Sequence, residues 1–258
     1  MISDIWASFY TEAKTRFTTY RILVENFLNP LFILFIFGVA MNQLFGYVKI
    51  DETRSIPYIA YFLVGSVNIG LITNCMVSTT HLFLDKYTGL FNYLLSYPIE
   101  RYSILIGRML FHVVVSLIQI LVMVGFTVWL YPKVIYFNIW FLFFLIFSLI
   151  SSCGIFCFLF SLSLRLQTQD EFNVLYYLIM TPVTYLSSIY YPISEFPLPL
   201  KIISLINPLT WSTDVSRYFL LGMEGKYLLA EGIATVLFFL VSLTVCIRSM
   251  QNDKLFLK

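Results

Sequence analysis

Long apolar runs, separated by short segments that carry the charges, dominate the 258 residues of this chain. An ionisable side chain is costly in hydrocarbon, and about 18 or more charge-free residues are enough to cross a bilayer, so each long run predicts a transmembrane helix. Runs such as 141–147 lack the alternation of apolar and polar residues that a strand of a membrane barrel needs. The predicted fold class is an all-α membrane protein with six transmembrane helices, at 26–48, 55–84, 109–132, 134–164, 172–194 and 227–247.

The composition agrees with a membrane protein. Hydrophobic residues make up 59% of the chain and charged residues 12%, whereas an ordinary globular domain has roughly 25% charged residues. A net charge of +2 without a basic patch gives no support for binding to nucleic acid. The four cysteines lie inside predicted spans without a CxxC pattern, so we predict neither a disulfide framework nor a zinc site.

Residues 1–25 carry apolar side chains at helical spacing, with the charges on the other side. This pattern predicts an amphipathic helix in the cytoplasmic membrane interface, and a simple surface anchor explains it equally well. No small-residue cleavage site follows the first apolar run, so we expect that the first span is not cleaved as a signal peptide and remains in the mature protein. Lys and Arg are more frequent in the segments on the side of the two termini, which predicts that both termini are cytoplasmic in the cell membrane.

Two segments outside the spans are more patterned than simple connections. Residues 81–103 have apolar residues at helical spacing and a proline that stops the helix, which predicts a short cytoplasmic helix whose apolar face docks a partner. Residues 191–226 contain four prolines and two stretches, 198–206 and 210–221, that predict helices too short to span. We expect these two helices to be re-entrant pieces in the outer leaflet, and a simple outer loop is the alternative.

Motifs for catalysis and for nucleotide binding are missing from the sequence. There is no GxxxxGK[ST] P-loop, no GxSxG elbow and no HExxH pair. His81 and His112, each alone, are typical of packing or interfacial histidines. The spans are almost empty of the ionisable residues that ion-coupled transport uses, apart from Glu231 in the first turn of the last helix. We therefore expect the energy for any transport to come from another protein.

Polar and aromatic residues inside the second and fifth spans are candidates for a substrate route. In the second span they share one face with Gly70, and in the fifth they flank Pro182, which can kink the helix. The same residues would also serve hydrogen bonding between helices, which is an equally good interpretation. The predicted route residues are Ser66, Thr73, Asn74, Tyr176, Tyr177 and Tyr185.

Three motifs together resemble those of one transporter family. They are Asn29-Pro30-Leu31-Phe32 at the first span; Asp85-Lys86-Tyr87-Thr88-Gly89 with Leu94-Leu95-Ser96-Tyr97-Pro98 and Ile106-Gly107-Arg108 after the second; and Asn207-Pro208-Leu209-Thr210-Trp211 with Asp214 and Arg217 before the last. The chain resembles, nearly from end to end, the type-2 ABC exporter permeases, which move drugs, lipids and polysaccharide-lipid conjugates.

The resemblance implies a permease subunit that pairs with a second permease subunit, identical or different, and docks two copies of a P-loop ATPase. ATP and Mg would bind that ATPase, and no cofactor is implied in this chain. The N-terminal helix would also meet the ATPase. The residues implied in ATPase coupling are Asp85, Lys86, Gly89, Leu94, Pro98 and Arg101. Those implied in the outer gate are Asn207, Pro208, Asp214 and Arg217.

Two other classes of function stay open from the residues alone. A secondary transporter or channel would act without an ATPase, and an intramembrane enzyme would depend on a residue such as His112. The substrate expected from the resemblance is an amphiphile, namely a drug, a lipid or a lipid-linked glycan.

Overall fold

The computed structural model of the chain describes residues 2–17, 24–49, 55–90, 100–132, 135, 137–193 and 196–251. Helices form nearly all of the regular structure in these ranges. The helices are α1 (Ile2–Phe17), α2 (24–45), α3 (Tyr58–Tyr87), α4 (Arg101–Leu130), α5 (Ile139–Ser163), α6 (169–185), α7 (Leu198–Ile206), α8 (Pro208–Leu221) and α9 (Leu228–Gln251). Two short strands, β1 (Tyr47–Lys49) and β2 (Ser55–Pro57), pair antiparallel between α2 and α3.

The predicted helical, multi-span architecture is confirmed. Within the described ranges, α3, α4, α5, α9 and residues Asn26–Leu44 of α2 are long and apolar enough to cross a membrane. Helix α6 covers residues 172–185 of the fifth predicted span, 172–194, and it is shorter than the five helices just named. The short helices predicted at 198–206 and 210–221 are present as α7 and α8. Most of the helix predicted within 81–103 lies outside the described residues.

A proline explains one irregular turn in each of α2 and α6, whereas a second π-helical turn of α2, Leu34–Gly38, follows Pro30 and has no such cause. Each helix widens into a π-helical turn, at Val24–Leu28 and Tyr176–Met180, directly before the turn that holds Pro30 or Pro182. Proline has no N–H to donate, and its ring clashes with the carbonyl four residues earlier, so the regular α-helical hydrogen bonding cannot continue through it. Both helices are therefore wider and less regular on the amino-terminal side of their prolines.

The core of the bundle surrounds α3. This helix is buried along most of its length, and it packs against α2, α4, α5 and α8. Small residues let these neighbours come close: a Cβ added at Gly65 would lie 2.6 Å from the carbonyl oxygen of Ile189, and one added at Gly70 would meet the side chain of Gln119. Such close approach of backbones through small residues is typical of helix packing in membranes.

Helix α1 lies against the bundle. Phe9 and Ala13, on its inner side, pack on Phe111 and Val115 of α4. A Cβ added at Gly107 of α4 would lie 2.6 Å from Cβ of Ser8, so the two helices touch closely. Ile2, Trp6 and Tyr10 of α1 are exposed, and the ring of Trp6 stacks on that of Phe9. The amphipathic helix predicted at the N-terminus is therefore present, with one apolar side packed on protein.

We expect Gly65→Ala to destabilise the protein, because the added methyl group would press against a backbone carbonyl that cannot rotate away. Overpacking of this kind typically costs about 1–3 kcal/mol. The matched control is Gly125→Ala, where an added Cβ meets no atom within 4 Å among the described residues. Thermal unfolding of the purified protein in detergent measures both, and equal midpoints for the two variants would contradict the close contact.

Candidate functional site

A buried ionic cluster joins α1 to the bundle. Glu12 and Arg16, one turn apart on α1, form an ion pair, and Nε of Arg108 on α4 lies 3.6 Å from Oε2 of Glu12. Arg108 also pairs with Asp85 near the end of α3, and Arg16 donates to Oγ of Ser78 at 2.9 Å. We call Glu12, Arg16, Asp85 and Arg108 the ionic cluster. It holds α1 to both α3 and α4.

The charges of the ionic cluster depend on one another. Glu12, Arg16 and Arg108 are each at most 6% exposed. Burial by itself would raise the pKa of the Glu12 carboxyl, but the nearby guanidinium groups of Arg108 and Arg16 outweigh it and hold that pKa below its ordinary value. Glu12 therefore stays ionised at neutral pH, and removing it would deprive buried Arg16 of its ion-pair carboxylate and leave Arg108 with Asp85.

Three of the predicted coupling residues fasten the segment between α3 and α4 to other helices. Asp85 pairs with Arg108, as described above. Lys86 donates from Nζ to the carbonyl oxygen of Leu166, at 3.0 Å, just beyond α5. Arg101 donates from Nη1 to the carbonyl oxygen of Met250, at 3.2 Å, near the end of α9. A displacement of this segment would therefore act on the ends of several helices at once.

Gly89, another predicted coupling residue, follows the last turn of α3. Its φ of +78° lies in the left-handed region, where a residue with a Cβ is strained, while an added Cβ would meet no described atom within 4 Å. Its requirement for glycine is therefore set by the backbone conformation and not by crowding. Leu94 and Pro98 lie outside the described residues.

A second polar cluster lies at the opposite end of α3, about 36 Å away at 1.5 Å per residue from Tyr61 to Asp85. Arg217 of α8 is only 2% exposed, and its guanidinium carbon lies 3.6 Å from the centre of the Tyr61 ring. The guanidinium donates to Oδ1 of Asp214 at 3.2 Å and to the carbonyl oxygen of Ile189 at 3.0 Å. Arg217 therefore ties α8 to α3 and to the segment that follows α6.

Asn207 fastens α8 to α6. Its Oδ1 accepts a hydrogen bond from the backbone N–H of Leu209 at 3.0 Å and so caps α8. Its Nδ2 donates at 2.6 Å to the carbonyl oxygen of Val183, in the last turn of α6, where carbonyls lack helical partners. Pro208 stands at the first position of α8, where its missing N–H removes no helical bond. The four predicted gate residues thus lie along one helix, with Asn207 and Pro208 at its start and Asp214 and Arg217 further along it. We call Asn207, Pro208, Asp214 and Arg217 the gate cluster.

Asn74, a predicted route residue, is fully buried between helices of this chain. Its Nδ2 donates to Oγ of Ser116 on α4 at 2.8 Å. Next to it, Nε2 of His112 lies 2.8 Å from Oγ of Ser152 on α5. These polar contacts hold α3, α4 and α5 together, and the part of Asn74 in a substrate route stays a prediction.

The other predicted route residues range from buried to exposed. Ser66 is buried and donates to the carbonyl oxygen of Leu63 in its own helix, and half-buried Thr73 donates to that of Ile69. Tyr176 is half-buried, whereas Tyr177 and Tyr185 are 67% and 64% exposed on α6. The exposed tyrosines form an aromatic surface on α6, and the part of these residues in a substrate route stays a prediction.

Sequence reasoning missed Glu12 and Arg16 as site residues. Their spacing of four places both side chains on one face of a helix, and this is a visible signal for an ion pair. Arg108 belongs to a quoted motif, but its two carboxylate partners lie 96 and 23 positions away in the chain. Such distant partners can be paired only once the helices have been placed.

The comparisons with known proteins all match this chain to transporter proteins. A family model described as ABC-2 type transporter matches residues 3–221, a stretch that contains the ionic cluster and the gate cluster. The chain is 28% identical over 223 residues to a protein of Cyanophora paradoxa named transport permease ycf38, across 86% of this chain and 74% of that protein. It is 20% identical over 237 residues to the inner membrane transport permease YadH of Escherichia coli strain K12, across 91% of this chain and 90% of that protein.

We expect Glu12→Gln to lower the free energy of unfolding by about 3–5 kcal/mol, because breaking a buried ion pair leaves a charge without its partner. The carboxyl pKa is lowered in the folded protein, so the ion pair contributes its full stability above the ordinary pKa of 4.5 and loses it as the pH falls through the lowered value. The difference in thermal midpoint between wild type and variant should therefore shrink below pH 4.5. Asp170→Asn, at an exposed carboxylate, is the control, and a difference independent of pH would contradict the ion pair.

Arg217→Lys is expected to destabilise the protein although it keeps the charge, because a lysine ammonium has no planar fork to reach several acceptors while stacking on Tyr61. The loss of charge-assisted hydrogen bonds should cost about 1.5–3 kcal/mol. Arg248→Lys, at an exposed arginine in the last turn of α9, is the matched control. Thermal unfolding in detergent compares them, and an Arg217→Lys midpoint equal to the control would show that the planar contacts are unimportant.

Proposed function

This chain belongs to the ABC-2 type transporter family, and from that premise we propose that it is the transmembrane permease subunit of an ATP-driven exporter. The cargo is an amphiphile, namely a drug, a lipid or a lipid-linked glycan. The chain itself hydrolyses no ATP. Two copies of a separate P-loop ATPase bind ATP and Mg and supply the energy, and two permease subunits, identical or different, form the membrane part.

The observation that carries the coupling role is the set of contacts made by Asp85, Lys86 and Arg101. These residues lie at the two ends of the segment between α3 and α4, and their side chains bind α4, the end of α5 and the end of α9. An ATPase docked on this segment would push on a part of the chain that is already fastened to several helices. Little of its motion would be lost in bending loops.

Helix α3 offers a route for that motion to the other end of the bundle. It is 30 residues long and tightly packed along most of its length, so it should move as a rigid body. Asp85 lies near one end of α3, and Tyr61, on which Arg217 stacks, lies near the other. A shift of α3 driven by the ATPase would therefore change the contacts of the gate cluster.

The same proposal assigns the membrane arrangement. Helix α6 is the remaining span of six, and α7 and α8 are re-entrant helices in the outer leaflet. Exposed apolar side chains along α7, among them Leu198, Ile202 and Ile206, support contact with lipid. Both termini are cytoplasmic, and the chain lies in the cell membrane. The exposed aromatic surface of α6, with Tyr177 and Tyr185, supports a cargo route at the contact with the second permease subunit.

The test is reconstitution in liposomes with and without the ATPase that co-purifies with the chain. Accumulation of an amphiphile that requires ATP, the ATPase and this chain together is the expected result. Uphill transport by this chain alone would contradict the proposal and would favour a secondary transporter. The cargo itself is identified by the compound that accumulates in cells when the protein is removed.

We expect Gly89→Ala to reduce ATP-driven export while leaving membrane insertion intact. A residue other than glycine pays roughly 1–2 kcal/mol for the left-handed conformation, so the coupling segment should change its direction as it leaves α3. Gly89→Asn is the matched control, because asparagine tolerates this conformation better. Leu94→Asp, which places a charge on the predicted docking face, should act like Gly89→Ala.

The measurement is the number of cargo molecules moved for each ATP hydrolysed in reconstituted vesicles. Normal transport by Leu94→Asp would count against docking at this segment. Equal loss in Gly89→Ala and Gly89→Asn would show that the backbone conformation of Gly89 is not the cause.

A further inference from the structure

A cavity of about 410 Å³ opens beside the gate cluster, among α7, α8 and the start of α9. Its volume is within the range of roughly 300–1,000 Å³ usual for small-molecule sites. Charged and aromatic residues contribute to its wall, among them Tyr61, Lys201, Asp214, Arg217, Tyr227 and Glu231. The wall is thus chemically different from the apolar surfaces that most of the bundle presents.

Glu231, in the first turn of α9, is the unusual residue of this cavity. Its side chain lines the cavity, and the residue is only 7% exposed. Across the part of the chain that the structure describes, its carboxylate has neither a hydrogen bond nor an ion pair. The half-buried carboxylate of the wall, Asp214, is already bound by Arg217 and Ser188. A buried carboxylate without a partner is costly, so the cavity favours a cationic group beside Glu231.

Lys201 adds the opposite charge. It is half-buried on α7, it lines the same cavity, and among the described residues it has no ion-pair partner, Glu231 included. The cavity therefore offers a buried carboxylate and a half-buried ammonium that do not neutralise each other, while the remaining charges of its wall are the exposed Glu224 and Lys226 and the paired Asp214 and Arg217. A ligand that carries both a cationic and an anionic group would satisfy both.

We propose that this cavity binds a zwitterionic phosphoethanolamine headgroup, with its ammonium on Glu231 and its phosphate beside Lys201. A primary ammonium donates three hydrogen bonds, and a charged donor on a carboxylate makes one of the stronger hydrogen bonds in proteins. A choline headgroup has no such donor, and a phosphoglycerol headgroup has no cation. The first turn of a spanning helix also lies at the depth of lipid headgroups, and Tyr227 in the wall is of the type enriched there.

This inference deepens the proposed function, since it names a headgroup class that the exporter holds at its gate. The headgroup has two possible sources: a lipid that stays bound as a structural partner, or the transported amphiphile itself. Both sources present the same ammonium and phosphate, so the binding site is tested first and the source second.

The first experiment measures lipid preference of the full chain in nanodiscs made from equal parts of phosphatidylethanolamine and phosphatidylglycerol. Native mass spectrometry counts the lipids that stay on the protein. Wild type should prefer phosphatidylethanolamine. Glu231→Gln should lower that preference about tenfold, the ratio that corresponds to about 1.4 kcal/mol. Lys201→Gln should instead lower the number of bound lipids of both kinds, because both carry the phosphate. Glu224→Gln, which changes an exposed carboxylate on the same cavity, should keep the preference.

An unchanged preference in Glu231→Gln, or an equal loss in Glu224→Gln, would overturn the proposal. A measurement on wild type keeps the test valid if a variant does not fold. Water-soluble glycerophosphoethanolamine should displace the bound lipid at concentrations where glycerophosphoglycerol does not, and equal displacement by the two would also overturn it. Neither measurement uses ATP or an ATPase, so its failure would leave the proposed transport function standing.

The second experiment assigns the source by following ATP-driven export with the co-purifying ATPase. If Glu231→Gln loses both lipid preference and export of labelled phosphatidylethanolamine, the bound headgroup belongs to the cargo. If it loses the preference and keeps export, the headgroup belongs to a resident lipid. In both cases the headgroup site stands.

Discussion

The close packing of α3 is the constraint on which the rest of the structure depends. Small residues such as Gly65 and Gly70 let a backbone carbonyl and the side chain of Gln119 approach this helix to within contact distance. With neighbours on every side, α3 has little freedom to bend or to separate from the bundle. Its two ends are therefore mechanically linked. A polar cluster lies at each end, where it can take part in such a linked motion.

The clusters at the two ends use charge in different ways. At one end Glu12 is placed between Arg16 and Arg108, so ions of opposite sign compensate each other inside the protein. At the other end Arg217 is satisfied by a carboxylate, a carbonyl and an aromatic ring, and Glu231 lines the cavity nearby without an ion-pair partner among the described residues. The ionic cluster therefore suits a permanent contact between helices. The surroundings of Arg217 and Glu231 suit the reversible binding of a ligand.

Much of the fold could be predicted from the sequence, because a bilayer requires long charge-free helices and these are visible in the order of residues. The helices of the gate region were also visible, since Asn207-Pro208 is a typical helix start. The fifth span was predicted too long: residues after Tyr185 are apolar, yet their backbone binds Tyr61 and Arg217 and is not helical. These contacts join residues 127 and 28 positions apart, so no local pattern contains them. The partners of Arg108 could not be predicted for the same reason. For that reason too, the sequence did not decide whether Asn74 serves helix packing or transport.

The ionic cluster also has a consequence for the order in which the protein is assembled. Helix α1 is made before α3 and α4, but Glu12 and Arg16 are buried against Ser78 and Arg108 of those later helices. Until α3 and α4 are in the bilayer, the two charges need water, so α1 has to wait at the membrane surface. Docking of α1 is thus a late step of biogenesis, which follows the insertion of α3 and α4 into the membrane.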